Sequence, residues 1–289
     1  MYDLTCLIKR NIKNFLRDKA AVFFSLLSVI ILLALYFLFI GRQYTQGEAF
    51  DSVSPELKTF LSTGVIMGGV LVINTVSLSL GVMGNIIMDL DTRKLDGFLV
   101  TPVKRYKIIL SYYISSILVT FTLTLFMWVL TILYLGVTSG YWYTIETIFL
   151  TTVLLLLYTF LSATLMIFMT TLLKSVNAFG ALSGVLGTLI GFMSGIYMPL
   201  SVLGNAMSKV ASVIPFTHMT VLLKQVLLKE AYQELPEPFV SSISVFYGTN
   251  DVGLLGMDIS SMTLVFGSVI IGFILMFIAY RNMNQKMIK

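Results

Sequence analysis

The chain has 289 residues, of which 57% are hydrophobic and 11% charged, less than half the charge of an ordinary soluble domain, which is about 25% charged. Its apolar runs are long enough to span a bilayer, which excludes a soluble globular protein, and its net charge of +5 is spread over short segments between those runs, which argues against a nucleic-acid surface. A single cysteine, Cys6, excludes an internal disulfide, and a single histidine, His218, argues against a histidine-based metal site or proton relay.

In chain order, residues 4–19 put Leu4, Leu7, Ile8, Ile12, Phe15 and Leu16 on one face of a helix and Lys9, Arg10, Lys13, Asn14 and Arg17 on the other. A basic amphipathic helix ahead of a span lies in the headgroup layer, as a plain anchor or as a contact for a partner. The run 21–40 exceeds a signal-peptide core and ends in Gly41-Arg42-Gln43 without a cleavage pattern, so it reads as an uncleaved first span. Further spans are expected over 63–88, 108–136, 145–173, 178–198 and 261–280. The predicted fold is an all-α polytopic membrane protein with six transmembrane helices in a single domain covering 1–289. Glu146 is the only charged residue within any span, in a first turn where the helix dipole favours an acid.

Between the second and third spans lies DLDTRKLDGFLVTPVKR, residues 89–105. Such a charged segment cannot lie in hydrocarbon and belongs at a membrane surface. Leu95, Phe98 and Leu99 fall at i, i+3 and i+4 and make one apolar face; Asp91, Arg93, Lys94 and Asp96 lie largely off it. Pro102 stops the helix and biases Thr101 towards extended geometry. The residues alone fit either an amphipathic loop resting on headgroups or a docking knob for a soluble partner. Lys and Arg counts place fourteen on the side holding both termini and this segment, and five on the other. By the positive-inside rule both termini and residues 89–107 are cytoplasmic, in a multi-pass protein of the cytoplasmic membrane.

The stretch 199–260 then falls outside. Val202, Leu203, Ala206, Met207, Val210, Val213 and Ile214 form an apolar stripe, Pro215 breaks it, and 216–229 is a second helical segment. Neither crosses about 30 Å of hydrocarbon, so two short helices dipping in from the outer face are expected. Residues 231–258, with Pro236 and Pro238, read as an exposed loop with a short hairpin near 247–251.

Chemistry is sparse. There is no Gly-x-x-x-x-Gly-Lys-Ser/Thr loop, zinc motif, intramembrane acid pair or nucleophile–histidine set, so neither an enzyme nor an ion-coupled carrier is expected. The second span holds Asn74, Thr75, Ser77, Ser79 and Asn85; the fifth holds Ser183, Thr188 and Ser194 among closely spaced glycines. Such residues are helix-packing glue or the wall of a pathway at a subunit interface. Met67, Met83, Met193 and Met198 would give that wall an adaptable surface for amphipathic cargo. The candidate pathway residues are therefore Asn74, Thr75, Ser79, Met83, Ser183, Thr188, Met193 and Ser194.

Residues 89–105 resemble the coupling-helix signature of ABC type-2 transporter permeases: Asp89 and Asp91, then Leu95, Phe98 and Leu99, then Thr101-Pro102-Val103-Lys104-Arg105. Arg93 and Lys94 stand where many members carry Gly-Thr, and the acids are Asp rather than Glu. Ser194-Gly195-Ile196-Tyr197-Met198-Pro199 and Pro215-Phe216-Thr217-His218 resemble two further elements of that family. The resemblance implies a permease paired with a second permease, identical or not, and two cytosolic ATPases that carry the ATP and magnesium. It implies that residues 89–105 seat in an ATPase cleft, with Leu95 and Phe98 supplying apolar contact and Asp91, Arg93 and Lys94 setting register, that Asp89, Asp96, Leu99, Thr101, Pro102 and Arg105 belong to the same coupling set, and that the second and fifth spans face the partner permease. The expected function is export of a lipid, drug or amphipathic peptide. Export of a polysaccharide or lipid-linked glycan, and a non-transporting scaffold or sensor that recruits an ATPase, are the alternatives.

Overall fold

A computed structural model describes residues 2–36, 44–45, 50–51, 53–173, 175–193, 204–251, 253–255, 257 and 259–286. Among them are eleven α-helices and no strand beyond one isolated bridge between Leu254 and Met257. The centre is α3, Pro55–Asp91, whose 37 residues make about 55 Å of helix at about 1.5 Å per residue. Ser54 caps it by accepting from Leu57 N at 3.2 Å, and Pro55 occupies the first turn, where its missing N–H costs nothing. Residues 59–88 carry no charge, so α3 can be enclosed by other helices, and it is.

Around it stand α5, Arg105–Ser139, and α6, Ile145–Leu172, on one side, and α2, Lys19–Leu35, and α7, Val176–Met193, on another. Helix α11, Ser261–Lys286, packs on α6. Four helices, α3, α5, α6 and α11, are long and apolar enough to cross a membrane. The remaining two expected spans fall on α2 and α7, which run for 17 and 18 residues; their expected far ends, 37–40 and 194–198, lie outside the described residues.

Two close approaches fix α3 against its neighbours. A Cβ on Gly68 would stand 2.7 Å from Lys224 Cγ and 3.3 Å from Lys224 Cα, and one on Gly81 would stand 2.7 Å from Ser25 Cβ. Any larger residue would push α9 or α2 off α3.

The segment between the fifth and sixth expected spans is more helical than its prolines suggest. Helix α8, Gly204–Ala211, is short and largely exposed. Helix α9, Pro215–Gln233, runs 19 residues and is buried against α3, α6 and α11. The expected exposed loop over 231–258 is corrected: α9 continues to Gln233, and α10 spans Glu237–Tyr247. Pro236 and Pro238 initiate α10 instead of breaking it, because they sit at its N-cap and first turn. The hairpin near 247–251 is absent as well. Gly248, at φ 66°, is a left-handed cap that ends α10, and Tyr247 is buried with its hydroxyl donating to Tyr44 O at 2.8 Å. Lys224 is buried beneath this cap, its Nζ donating to Tyr247 O at 3.0 Å, and burial pushes its pKa down to about 8. His218 Nε2 donates to Ser212 O at 2.6 Å and Thr217 Oγ1 donates to Ala211 O at 2.8 Å, which pins the turn from α8 into α9.

At the opposite end of the bundle lies α1, Tyr2–Arg17. Its residues Leu7, Asn11 and Phe15, one turn apart, are buried against α5 and α3, and burying the two apolar ones contributes about 1.5–3 kcal/mol each. Lys9, Lys13 and Arg17 remain exposed.

Candidate functional site

The charged segment begins inside α3. Thr92 ends that helix, its N–H and its hydroxyl both donating to Met88 O, at 2.9 and 2.6 Å. Arg93 then adopts φ 55°, a left-handed conformation uncommon outside glycine, and the chain turns into α4, Lys94–Leu99. Thr101 Oγ1 donates to Phe98 O at 2.6 Å, Pro102 follows, and α5 starts at Arg105. A six-residue helix held between two spans by such tight turns folds its apolar face onto the nearest apolar surface, which is the end of its own bundle.

That overturns part of the sequence reading. Leu95 is 2% exposed and belongs to the main core, and Phe98 is half-buried against it with the Arg10 guanidinium 4.9 Å from its ring centroid. Leu95 is thus spent on its own bundle, and Phe98 is left partly exposed. The Leu99 side chain lies outside the described residues. Asp89 is also inward: at 4% exposure it accepts from Arg10 Nη2 at 2.7 Å and from Tyr112 Oη at 2.6 Å. Arg10 Nη1 reaches Tyr112 Oη at 3.2 Å, Asn11 Nδ2 donates to Ser111 Oγ at 3.1 Å, and Lys107 Nζ pairs with Asp3 at 2.7 Å. The Lys107 hydrogen bond and charge hold the Asp3 carboxyl below its ordinary pKa. Helix α1 is thereby tied to α3, α4 and α5 at once. What remains outward is Asp91, Arg93, Lys94, Asp96, Val100, Thr101, Pro102, Lys104 and Arg105, with Val100 87% exposed. Arg10, Tyr112 and Val100 were not legible as special. Arg10 resembles every other cation on α1 until Asp89 and Phe98 are seen beside it.

The proposed pathway wall divides in the same way. Asn74, Thr75, Ser79 and Met83 are all fully buried. Asn74 Nδ2 donates to Thr124 Oγ1 at 3.2 Å, Thr75 and Ser162 share a hydroxyl bond of 3.0 Å, and Ser79 and Thr120 one of 3.2 Å. They pack as glue between α3, α5 and α6, the first of the two readings open to them in the sequence. The period of 3.6 explains it: 75, 79 and 83 stack on the face toward α5 and α6.

The other face of α3 carries Ser77, Gly81, Gly84, Asn85 and Met88, and it opens on a groove of about 400 Å³ shared with α2 and α7. Phe24 and Ser25 line it from α2, and Phe179, Ser183, Gly184, Gly187 and Ile190 from α7. Ser183 is thus at the groove, and its hydroxyl is spent on Phe179 O at 2.7 Å. Thr188 is exposed on α7 and donates to Gly184 O at 3.0 Å. The side chain of Met193 and the whole of Ser194 lie outside the described residues. The small and polar spacing 77, 81, 84, 85 is a helical stripe and was open to detection in the sequence.

Glu146 pairs with Lys229 at 3.2 Å on the surface, with 78% of its side chain exposed, so it is no buried proton carrier. Among the described residues no group of His, Cys, Asp and Glu is arranged to hold a metal ion. Residues 2–228 match the family of ABC-2 type transporters. The chain belongs to that family. The match covers α1 through most of α9, so the α1–α4 junction and the groove both lie within the ABC-2 region, whereas α10 and α11 follow it. No curated protein matches the sequence. The ABC-2 assignment makes the chain a multi-pass transport subunit, and the family works with an ABC ATPase.

Proposed function

We propose that this chain is the permease of an ATP-driven exporter in the cytoplasmic membrane, with both termini in the cytoplasm. Two cytosolic ATPases dock on the outward face of residues 91–105, a second copy or homologue of the permease completes the complex, and an amphipathic lipid, drug or peptide moves along the groove between α2, α3 and α7. The observation that carries this reading is the α4 junction. Leu95 is spent on the bundle, the exposed residues include Val100, Asp91, Arg93, Lys94 and Asp96, and the Asp89–Arg10–Tyr112 cluster ties the junction to three other helices. A push on Val100 and Pro102 is therefore delivered to α1, α3 and α5 together, as coupling of two sites through one element requires. The groove mixes Ser25, Ser77 and Asn85 with Phe24, Phe179 and Ile190, which suits cargo with apolar and polar parts better than a glycan.

The test is co-purification of the ATPase with wild-type and Val100→Asp permease, alongside permease-stimulated ATP hydrolysis. An unpaired charge at a desolvated contact predicts a loss of at least about tenfold in ATPase affinity, with the permease still folded because Val100 touches little of its own chain. Undiminished retention and stimulation would remove the docking face. Cysteine labelling at Asp96 and Asp251 in a Cys6→Ser background tests orientation: position 251 should react from outside intact cells and position 96 should not.

A further inference from the structure

A second groove, of about 300 Å³, runs down the outside of the bundle between α5, α6 and α11, on the far side of α3 from the first. Ile109, Tyr113, Ile167, Phe273, Met276 and Phe277 wall it, and Tyr106 and Tyr280 stand at its end. Tyr113 turns its hydroxyl inward to Thr164 Oγ1 at 2.8 Å, leaving ring surface to the groove. On α11 the exposed apolar series Phe266, Ile270, Ile274, Phe277 and Ile278 stops at Tyr280-Arg281. An apolar belt ending in tyrosine and arginine marks lipid contact and its interface. From Phe273 to Tyr280 the helix rises about 10 Å, so the groove occupies the outer part of one leaflet and meets the headgroup layer at the two tyrosines.

Arg105 and Arg281 each adjoin one of those tyrosines in the chain, so their Cα atoms stand about 3.8 Å from those of the groove-lining residues. Both are exposed, and neither joins an ion pair among the described residues, whereas neighbouring Lys107 is already neutralised by Asp3. The groove thus has the apolar wall of an acyl-chain site, and the two exposed arginines next in the chain to its interfacial tyrosines are of the kind that suits a phosphate. We propose that this groove is a binding site for a resident anionic phospholipid, its acyl chain against Tyr113, Phe273 and Phe277 and its phosphate held by Arg105 and Arg281. This site lies away from the cargo groove and shares only Arg105 with the proposed docking face.

The test is native mass spectrometry of the purified chain after exchange with vesicles of equal parts dioleoylphosphatidylglycerol and dioleoylphosphatidylcholine. Two basic residues near one headgroup predict about a thirtyfold preference for the anionic lipid. Arg105→Gln with Arg281→Gln should bring the two lipids to near parity, and Met276→Trp, which fills the groove, should remove retention of both. Equal retention by the wild type would overturn the site, as would undiminished preference in the double variant or undiminished retention by Met276→Trp. Release of the lipid during ATP-driven turnover of the full complex would make it cargo and would equally contradict a resident ligand.

Discussion

The two faces of α3 carry the same kinds of residue and are put to opposite uses. Toward α5 and α6, Asn74, Thr75 and Ser79 are closed in and hydrogen-bonded to Thr124, Ser162 and Thr120. Toward α2 and α7, Ser77, Gly81, Gly84 and Asn85 border an open groove, and α7 leaves Val185, Leu189 and Phe192 exposed on its other side. A hydroxyl in a span therefore says little until its face is known. Under the proposed function the sealed side moves as one piece on docking, and the open side is where a passage forms without breaking a core.

Substitutions on the sealed side should cost stability, beginning at the Asp89 cluster. Arg10→Ala leaves a 4%-exposed carboxylate with Tyr112 as its remaining partner among those described. Breaking a buried pair costs about 3–5 kcal/mol, and because Arg10 is itself 27% exposed the expected loss is about 2–4 kcal/mol. Adding Asp89→Asn should recover part of it, and a thermal-unfolding double-mutant cycle reads the difference. No recovery would mean that Arg10 acts by packing alone.

Lys224 gives the next effect, through pH. Its pKa is about 8 when folded against 10.5 in the exposed chain, so between those values the unfolded chain binds more protons. Stability should rise as pH goes from 8 to 10.5, by up to about 3 kcal/mol. Lys224→Met should flatten that rise. A wild-type curve flat over this window would show that Lys224 is not strained by burial.

Ser79→Leu overfills the sealed seam and strips Thr120 of its partner, for a loss of about 1–3 kcal/mol. Gly187→Leu lies at the other extreme. A Cβ there meets nothing within 4 Å, and leaving glycine favours the helix by up to about 1 kcal/mol, so melting should hold or improve while transport falls because the groove is filled. Transport unchanged in Gly187→Leu would break the comparison.

Much of the frame was readable. The charge-free runs 63–88 and 108–136 lie within α3 and α5, and the 3.6 period expected over residues 4–19 is helix α1 as far as Arg17, with Lys19 already in α2. The prolines at 236 and 238 misled because a helix breaker in mid-run is a helix starter in the first turn. The apolar residues Leu95 and Phe98 misled for a different reason. Amphipathicity shows that a face will be buried, and it is silent on whether the chain itself or another protein covers it. Likewise nothing local distinguishes Ser77 from Ser79; only the packing of α2, α5, α6 and α7 around α3 does.

That pair offers the most direct measurement. Ser77→Cys and Ser79→Cys are near-isosteric changes two residues apart, made singly in a Cys6→Ser background. With the purified complex and a small thiol reagent, position 77 should label readily, transported cargo should slow that labelling, and position 79 should stay protected until the protein unfolds. Rapid labelling at 79 with protection at 77 would contradict the assignment of the open face of α3 to the cargo path.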